Sequence, residues 1–246
     1  MLFKGRIATF ALFIIAATFS PLKLNGAHLV GGEITYTCSG SNSYEIKLRI
    51  YRDCNGNGAA FDQSVNFTIF DDQGNILFNP SVSKGATVQV PAATGNPCLT
   101  TPPNICTEYA EYIHTISLPA RVGGYTISYQ RCCRNATIAN IVSSGKGNTY
   151  TIQIPSMDNC NSTPQFTTVP PIVLCKSDAL NIDASSADAN GDSLFYEFCD
   201  ILNGGSSFNP SPNSADPPPY TAIPFISPQT SSAPIPGAPA LSINPN

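Results

Sequence analysis

The chain has no tryptophan, two methionines and two histidines, and only 11% of its 246 residues are charged, against about a quarter in an ordinary globular protein. Each shortage excludes something. Charge this sparse, with Ser, Thr, Asn, Gly and Pro at the polar positions, does not suit long solvent-facing helices and suits many short strands. Without tryptophan, a carbohydrate-binding surface loses its commonest flat platform. No Gly-x-Ser-x-Gly elbow, His-Glu-x-x-His pair or Cys-x-x-Cys occurs, so the usual local signatures of a serine hydrolase, a zinc protease or a dithiol redox centre are missing. After the first apolar stretch no second one approaches the ~20 residues needed to cross a bilayer as a helix, so no transmembrane segment is expected beyond the amino terminus.

That first stretch is informative. Lys4 and Arg6 precede an apolar run from Ile7 to Phe19, and Ser20-Pro21 and small residues lead to Gly26-Ala27. This is the layout of a secretory signal peptide over residues 1–27, which places the mature protein outside the cell or on its surface. All sixteen acidic residues follow Ala27 whereas Lys4, Arg6 and Lys23 precede it, leaving nine basic residues and a net charge of −7. Such a chain is poorly matched to nucleic acid or an anionic membrane.

β-Branched and aromatic residues alternate over Glu33 to Thr37, Tyr44 to Tyr51, Val65 to Phe70, Thr87 to Val90, Glu108 to Leu118, Tyr125 to Arg131 and Thr149 to Ile154. Turn-forming clusters separate them, among them Ser39 to Asn42, Asp72 to Asn75, Arg121 to Gly124 and Ser143 to Gly147. Seven such strands predict a β-sandwich over residues 28–157.

A second unit, residues 158–246, opens with a proline-marked linker and has strand-like runs at Ile172 to Leu174, Ala179 to Ile182 and Ser193 to Phe198. Eleven of the 22 prolines fall in the last 44 residues, so this tail is expected to be extended, loop-like, disordered or short of partner strands. The fold class expected is all-β: tandem immunoglobulin-like sandwiches braced by disulfides, the second incomplete.

Nine cysteines in an exported chain read as bridges: Cys38, Cys54, Cys98, Cys106, Cys132 and Cys133 before Pro155, and Cys160, Cys175 and Cys199 after it. Six pair internally in fifteen ways, whereas three leave one over. Cys98 and Cys106, seven residues of loop apart, are the simplest local bridge to propose. Adjacent Cys132 and Cys133 point to opposite faces of an extended strand and would seek different partners. Cys133 shares its face with Tyr125, Ile127 and Tyr129, so it is the one expected to bridge the core. A redox or metal role for the pair, flanked by Arg131 and Arg134, is the sharper and less favoured reading.

Calcium is the one cofactor with a physical case. Asp188, Asn190 and Asp192 alternate around the turn residue Gly191, with Asp183 at the end of the preceding run. Oxygen side chains so spaced can converge on a hard cation, or equally form an Asx-rich turn with no metal. Asp53, Asn55 and Asn57, with Gly58 and Asp62 beyond, repeat the spacing of a calcium loop but lack its acidic twelfth position, where Ser64 stands. His114 falls on the core-facing side of its strand and reads as a packed or edge histidine. Gly145 to Thr149 lacks the lysine-to-hydroxyl adjacency of a phosphate loop and reads as a hairpin turn.

Three segments carry a resemblance: Ala27-His-Leu-Val-Gly-Gly-Glu-Ile-Thr-Tyr36, Ile50-Tyr-Arg-Asp-Cys-Asn-Gly-Asn-Gly58 and Tyr129-Gln-Arg-Cys-Cys-Arg-Asn135. Together they resemble the amino-terminal region of large Bacteroidetes surface proteins, which carry tandem immunoglobulin-like or PKD-like repeats and a carboxy-terminal gliding-motility-associated, type IX secretion sorting domain. Asp188 to Tyr196 is similar to the Asp-x-Asp-Gly-Asp-x-Leu-x-Tyr pattern of cadherin-like bacterial repeats, with Asn190 at the middle aspartate. Leu241 to Asn246 resembles the opening of a repeat turn. The resemblance implies the front end of a longer, noncatalytic surface adhesion protein, linked to gliding motility or attachment, whose partners are surface glycans or other cell-surface proteins. The rival expectation is an accessory, glycan-binding region of an exported hydrolase whose catalytic domain lies beyond Asn246.

Overall fold

The computed structural model describes residues 29–55, 58–91, 105–135, 137–142, 145–156, 160–174 and 179–243. The expected signal peptide, Asn57, Cys98 and Cys175 lie outside them. The protein is all-β, and no helix occurs among the described residues.

Nine strands build two antiparallel sheets. They are β1 (Leu29–Gly40), β2 (Ser43–Asp53), β3 (Ser64–Asn66), β4 (Thr68–Phe70), β5 (Ile76–Phe78), β6 (Ser81–Gln89), β7 (Thr107–Ser117), β8 (Tyr125–Arg131) and β9 (Asn148–Ile154). One sheet has the order β1-β2-β7-β6-β3 and the other β5-β4-β8-β9. Period-two alternation accounts for the packing: Ile34 and Tyr36, then Tyr44, Ile46, Leu48 and Ile50, then Ala110 and Tyr112 turn inward from the first sheet. Ile69, Ile127, Tyr129, Tyr150 and Ile154 meet them from the second in one core. Inward-facing His114 lies opposite Ile46, as its register predicts.

The single strand expected from Val65 to Phe70 is two. Val65 pairs with Val82 in the five-stranded sheet and Ile69 with Ile127 in the four-stranded one. Between them Phe67 is fully buried, its amide donating to the Pro80 carbonyl. The chain changes sheets at that point, which the unbroken hydrophobic run conceals. A second crossing, from β7 to β8, is held by the Tyr125 hydroxyl donating to the Pro119 carbonyl at 2.7 Å, the tyrosine-corner arrangement of Greek-key sandwiches.

The region expected to form a second sandwich holds little regular structure among the described residues. Its strands are a ribbon of β10 (Gln165–Phe166) and β11 (Ser186–Ala187). Ile172 to Leu174, Ala179 to Ile182 and Ser193 to Phe198 are not strands. The last of these keeps its alternation, with Leu194, Tyr196 and Phe198 half-buried and Ser193, Phe195 and Glu197 exposed. Its backbone forms no ladder because no neighbouring strand among the described residues offers hydrogen bonds. The boundary expected at residue 157 is crossed repeatedly. Cys38 is bonded to Cys160, and residues from Leu202 to Phe225 bridge back to Ile141, Lys146 and Thr149.

That proline-rich tail covers the outer face of the four-stranded sheet. The face is uncharged and polar: Thr68 and Ser128 are fully buried and Gln130 nearly so. The Ala215 amide donates to Thr68 Oγ1 at 2.8 Å and the Asp216 amide to Gln130 Oε1 at 3.0 Å, while Thr149 Oγ1 donates to the Asn203 carbonyl at 2.7 Å. Tyr220 joins its hydroxyl to that of Ser128, and both Asn66 and Asn79 donate to the Asn213 carbonyl. Proline has no N–H, so a proline-rich chain cannot extend a ladder. A sheet face rich in hydroxyls and amides instead supplies partners for its carbonyls and few amides.

Candidate functional site

The cysteines pair differently from the expectation. Cys106 bonds to Cys54 and not to Cys98, because Cys54 and Cys106 immediately follow and precede the paired residues Asp53 and Thr107 of β2 and β7. Cys38 leaves the internal set of six for Cys160. Cys132 and Cys133 bond to each other. The pleat argument against this does not reach them, since the β8–β9 ladder ends at Arg131 and Asn148. Cys132, not Cys133, is the buried member. Cys199 is free and exposed.

The turn at Asp188 is a latch. Asp188 Oδ1 accepts from the amides of Asn190 and Asp192 at 2.9 and 3.0 Å, with Gly191 at φ +78° completing a conformation that side chains disfavour. Asn190 Oδ1 accepts from the Ser162 amide, and Asp192 Oδ2 from Asn161 Nδ2 at 2.7 Å. The turn is thereby fastened to the segment that follows Cys160, and that segment covers the β1 edge through Thr163 and Tyr36. Asp183 is used separately, its Oδ1 accepting from the Ser185 amide, which holds its carboxyl below the usual range. Asp53 Oδ1 likewise caps the Asn55 amide. Among the described residues no three His, Cys, Asp or Glu side chains converge, so the structure does not draw Asp183 to Asp188 and Asp192.

Asp62 belongs to a different cluster. It faces Arg131, which donates Nε to Oδ2 at 2.7 Å and Nη2 to Oδ1 at 3.1 Å. The hydroxyl of Tyr129 donates to the same carboxylate and that of Tyr112 to the Asp62 carbonyl at 2.7 Å. Burial, then the neighbouring negative charge of Asp62, raises the Tyr129 and Tyr112 hydroxyl pKa values well above 10. Arg131 Nη1 also donates to the Pro210 carbonyl at 2.9 Å, so this partly buried ion pair anchors the tail to β8.

Where the tail arches away from β8 it leaves an open cleft of about 260 Å³, lined by Gln130, Asn203 to Ser206, Asn209, Pro212, Asp216, Pro217, Pro219, Tyr220 and Thr221. Its floor is rigid. A Cβ on Gly147 would overlap the Gly204 carbonyl, and one on Gly204 would strike Thr149 and Gln130; both glycines are required by close backbone approach. Gln130 is fixed at both ends of its amide, by the Asp216 amide and by Thr149 Oγ1. At the rim, Ser206 and Asn209 exchange backbone hydrogen bonds of 3.1 and 3.2 Å and close a tight turn. Phe208, within that turn, is 99% exposed. Sequence reasoning missed this site, since its lining comes from a strand and from a tail read as loop or disorder. The one signal for it was Asn203-Gly-Gly-Ser-Ser-Phe-Asn209, a turn sequence carrying an aromatic residue.

The molecule is thus a disulfide-braced all-β sandwich with a polar cleft at its surface. No family model, no curated protein and no solved structure matches the chain.

Proposed function

We propose that this chain is a noncatalytic, exported binding module that works at the cell surface as part of a longer adhesion protein. One observation carries the reading: the sandwich is braced by Cys38–Cys160 and Cys54–Cys106 and presents on its irregular segment an open cleft of amides and hydroxyls. Recognition sites are characteristically built from loops on a rigid scaffold, and disulfides accumulate in oxidising compartments. The signal-peptide layout and the −7 charge of the mature chain fit the same placement.

The test is location. An antibody to residues 28–155, applied to fractionated and protease-shaved cells, is expected to detect an oxidised, surface-exposed species that shaving removes. A reduced species retained in the cytoplasm after shaving would overturn the proposal.

A further inference from the structure

We infer that the cleft between β8 and the tail is a saccharide site, and that its ligand is an uncharged sugar of one or two rings. The inference deepens the binding-module reading and rests on it. Size comes first: about 260 Å³ is below the ~300–1,000 Å³ of sites for larger organic ligands. It suits a pyranose ring or two, not a folded peptide segment.

The lining chemistry narrows the class. Sugar hydroxyls both donate and accept, and they are bound best by groups that do likewise in fixed positions. Gln130 and Tyr220 are fixed by their bonds to the sheet. Asn203 is held through Oδ1 by the Gly147 amide at 3.0 Å. This leaves the Asn203 Nδ2 group, the Asn209 side-chain carboxamide, the Asp216 carboxylate and the Thr221 hydroxyl without protein partners among the described residues. Two of these four offer N–H donors, the carboxylate accepts, and the hydroxyl does both.

Charge narrows it again. No lysine or arginine lines the cleft, and Asp216 is its only carboxylate. Arg131 is engaged with Asp62 and Arg134 with the carbonyls of Gly147 and Leu202, while Lys146 bridges to Ser206 through its backbone and is not part of the lining. A sulfated or sialylated ligand would meet Asp216 with no cation in the lining to offset it. Phe208, outside the lining itself but between its residues Ser206 and Asn209, offers in place of the missing tryptophan an exposed apolar ring that can stack on the C–H face of a sugar. Nothing in the fold holds that ring, which is 99% exposed.

The experiment is saturation-transfer NMR and calorimetry on the full mature chain. The probes are neutral oligosaccharides (cellobiose, maltose, mannobiose and di-N-acetylchitobiose), each followed by a sulfated or sialylated probe of similar size. At least one neutral probe is expected to bind while the anionic ones do not. Phe208→Ala is expected to weaken binding by about fivefold to tenfold with no change in melting temperature, and Asp216→Ala to weaken it also. Arg49→Ala, on the opposite sheet, should leave binding unchanged. Binding by none of the neutral probes, preference for the anionic ones, or equal affinity in Phe208→Ala would overturn the inference. If the chain is found on the cell surface yet binds no sugar, the saccharide assignment fails and the surface-module reading stands.

Discussion

The two sheets of the sandwich share one core and differ on their outer faces. On the five-stranded sheet Glu33, Arg49 and Glu111 lie side by side across β1, β2 and β7. Arg49 reaches Glu111 at 2.6 Å and Glu33 at 3.1 Å and lies over the Tyr109 ring. These groups are about a quarter to a third exposed and face water. On the four-stranded sheet the same positions hold Thr68, Ser128, Gln130, Thr149 and Thr151, and the tail covers much of that face. Ions are costly to desolvate, whereas hydroxyls and amides are readily buried when each finds a partner. The uncharged face is therefore the one that can accept a covering chain, and the cleft lies there.

The contrast can be broken by mutation. Asp62→Ala removes the partner of the largely buried Arg131 guanidinium and should cost about 3 kcal/mol in denaturant unfolding. It should also loosen the tail at Pro210. Opening Cys38–Cys160 by paired serine substitution should cost about 2–4 kcal/mol without altering the cleft. Thr68→Val keeps the shape and strands the Ala215 amide, costing about 1–2 kcal/mol. Glu111→Gln on the open face should cost under about 1 kcal/mol, since exposed ion pairs contribute little. Equal costs at Thr68 and Glu111 would erase the distinction between the faces.

Stability against pH sharpens it further. Asp71 accepts from Asn75 through both side chain and backbone, from the Gln73 amide and from Arg121, and these hold its pKa below the ordinary value. The group therefore stabilises the fold above about pH 4, and this contribution is lost as pH falls through the lower folded value. Asp71→Asn should flatten that acid limb. At the other end, burial raises the Tyr112, Tyr129 and Tyr150 hydroxyls above 10. Their contribution is complete below about pH 10 and disappears as pH climbs towards the folded values, so the melt should fall in strong alkali. The smallest effect concerns the Asp188 turn. Because its oxygens already hold amides, millimolar calcium should move the melting temperature of the full chain by less than about 1 °C. A larger rise would mean that Asp188, Asn190 and Asp192 turn towards the ion.

Most of the sandwich was legible because alternation is a local property: Tyr44 to Ile50 and Tyr125 to Tyr129 announce their inner faces residue by residue. The three-residue β5 was not, having too few residues to show a period. The sheet change at Phe67 was hidden because burial on both sides leaves a continuous apolar run. Cysteine pairing was misread wherever it depended on tertiary neighbours, as with Cys106 and Cys54 across β2 and β7. The cleft was illegible for the same reason: Gln130 and Asp216 are 86 positions apart, and a proline-rich tail gives no hint of which surface will hold it. The Asp188 turn was recognised from its spacing, yet spacing does not reveal that Asn161 and Ser162 take the same oxygens.

The account turns on the tail being part of the sandwich, and amide hydrogen exchange on residues 28–246 tests this most directly. The amides of Ala215 and Asp216, bonded to Thr68 Oγ1 and Gln130 Oε1 of the sheet, and those of Asn203 and Ile223, bonded within the tail to the Thr221 and Ile201 carbonyls, should be protected, and Thr68→Val should release Ala215 first. Exchange of all four at unfolded rates while β8 stays protected would contradict the covered face and, with it, the cleft.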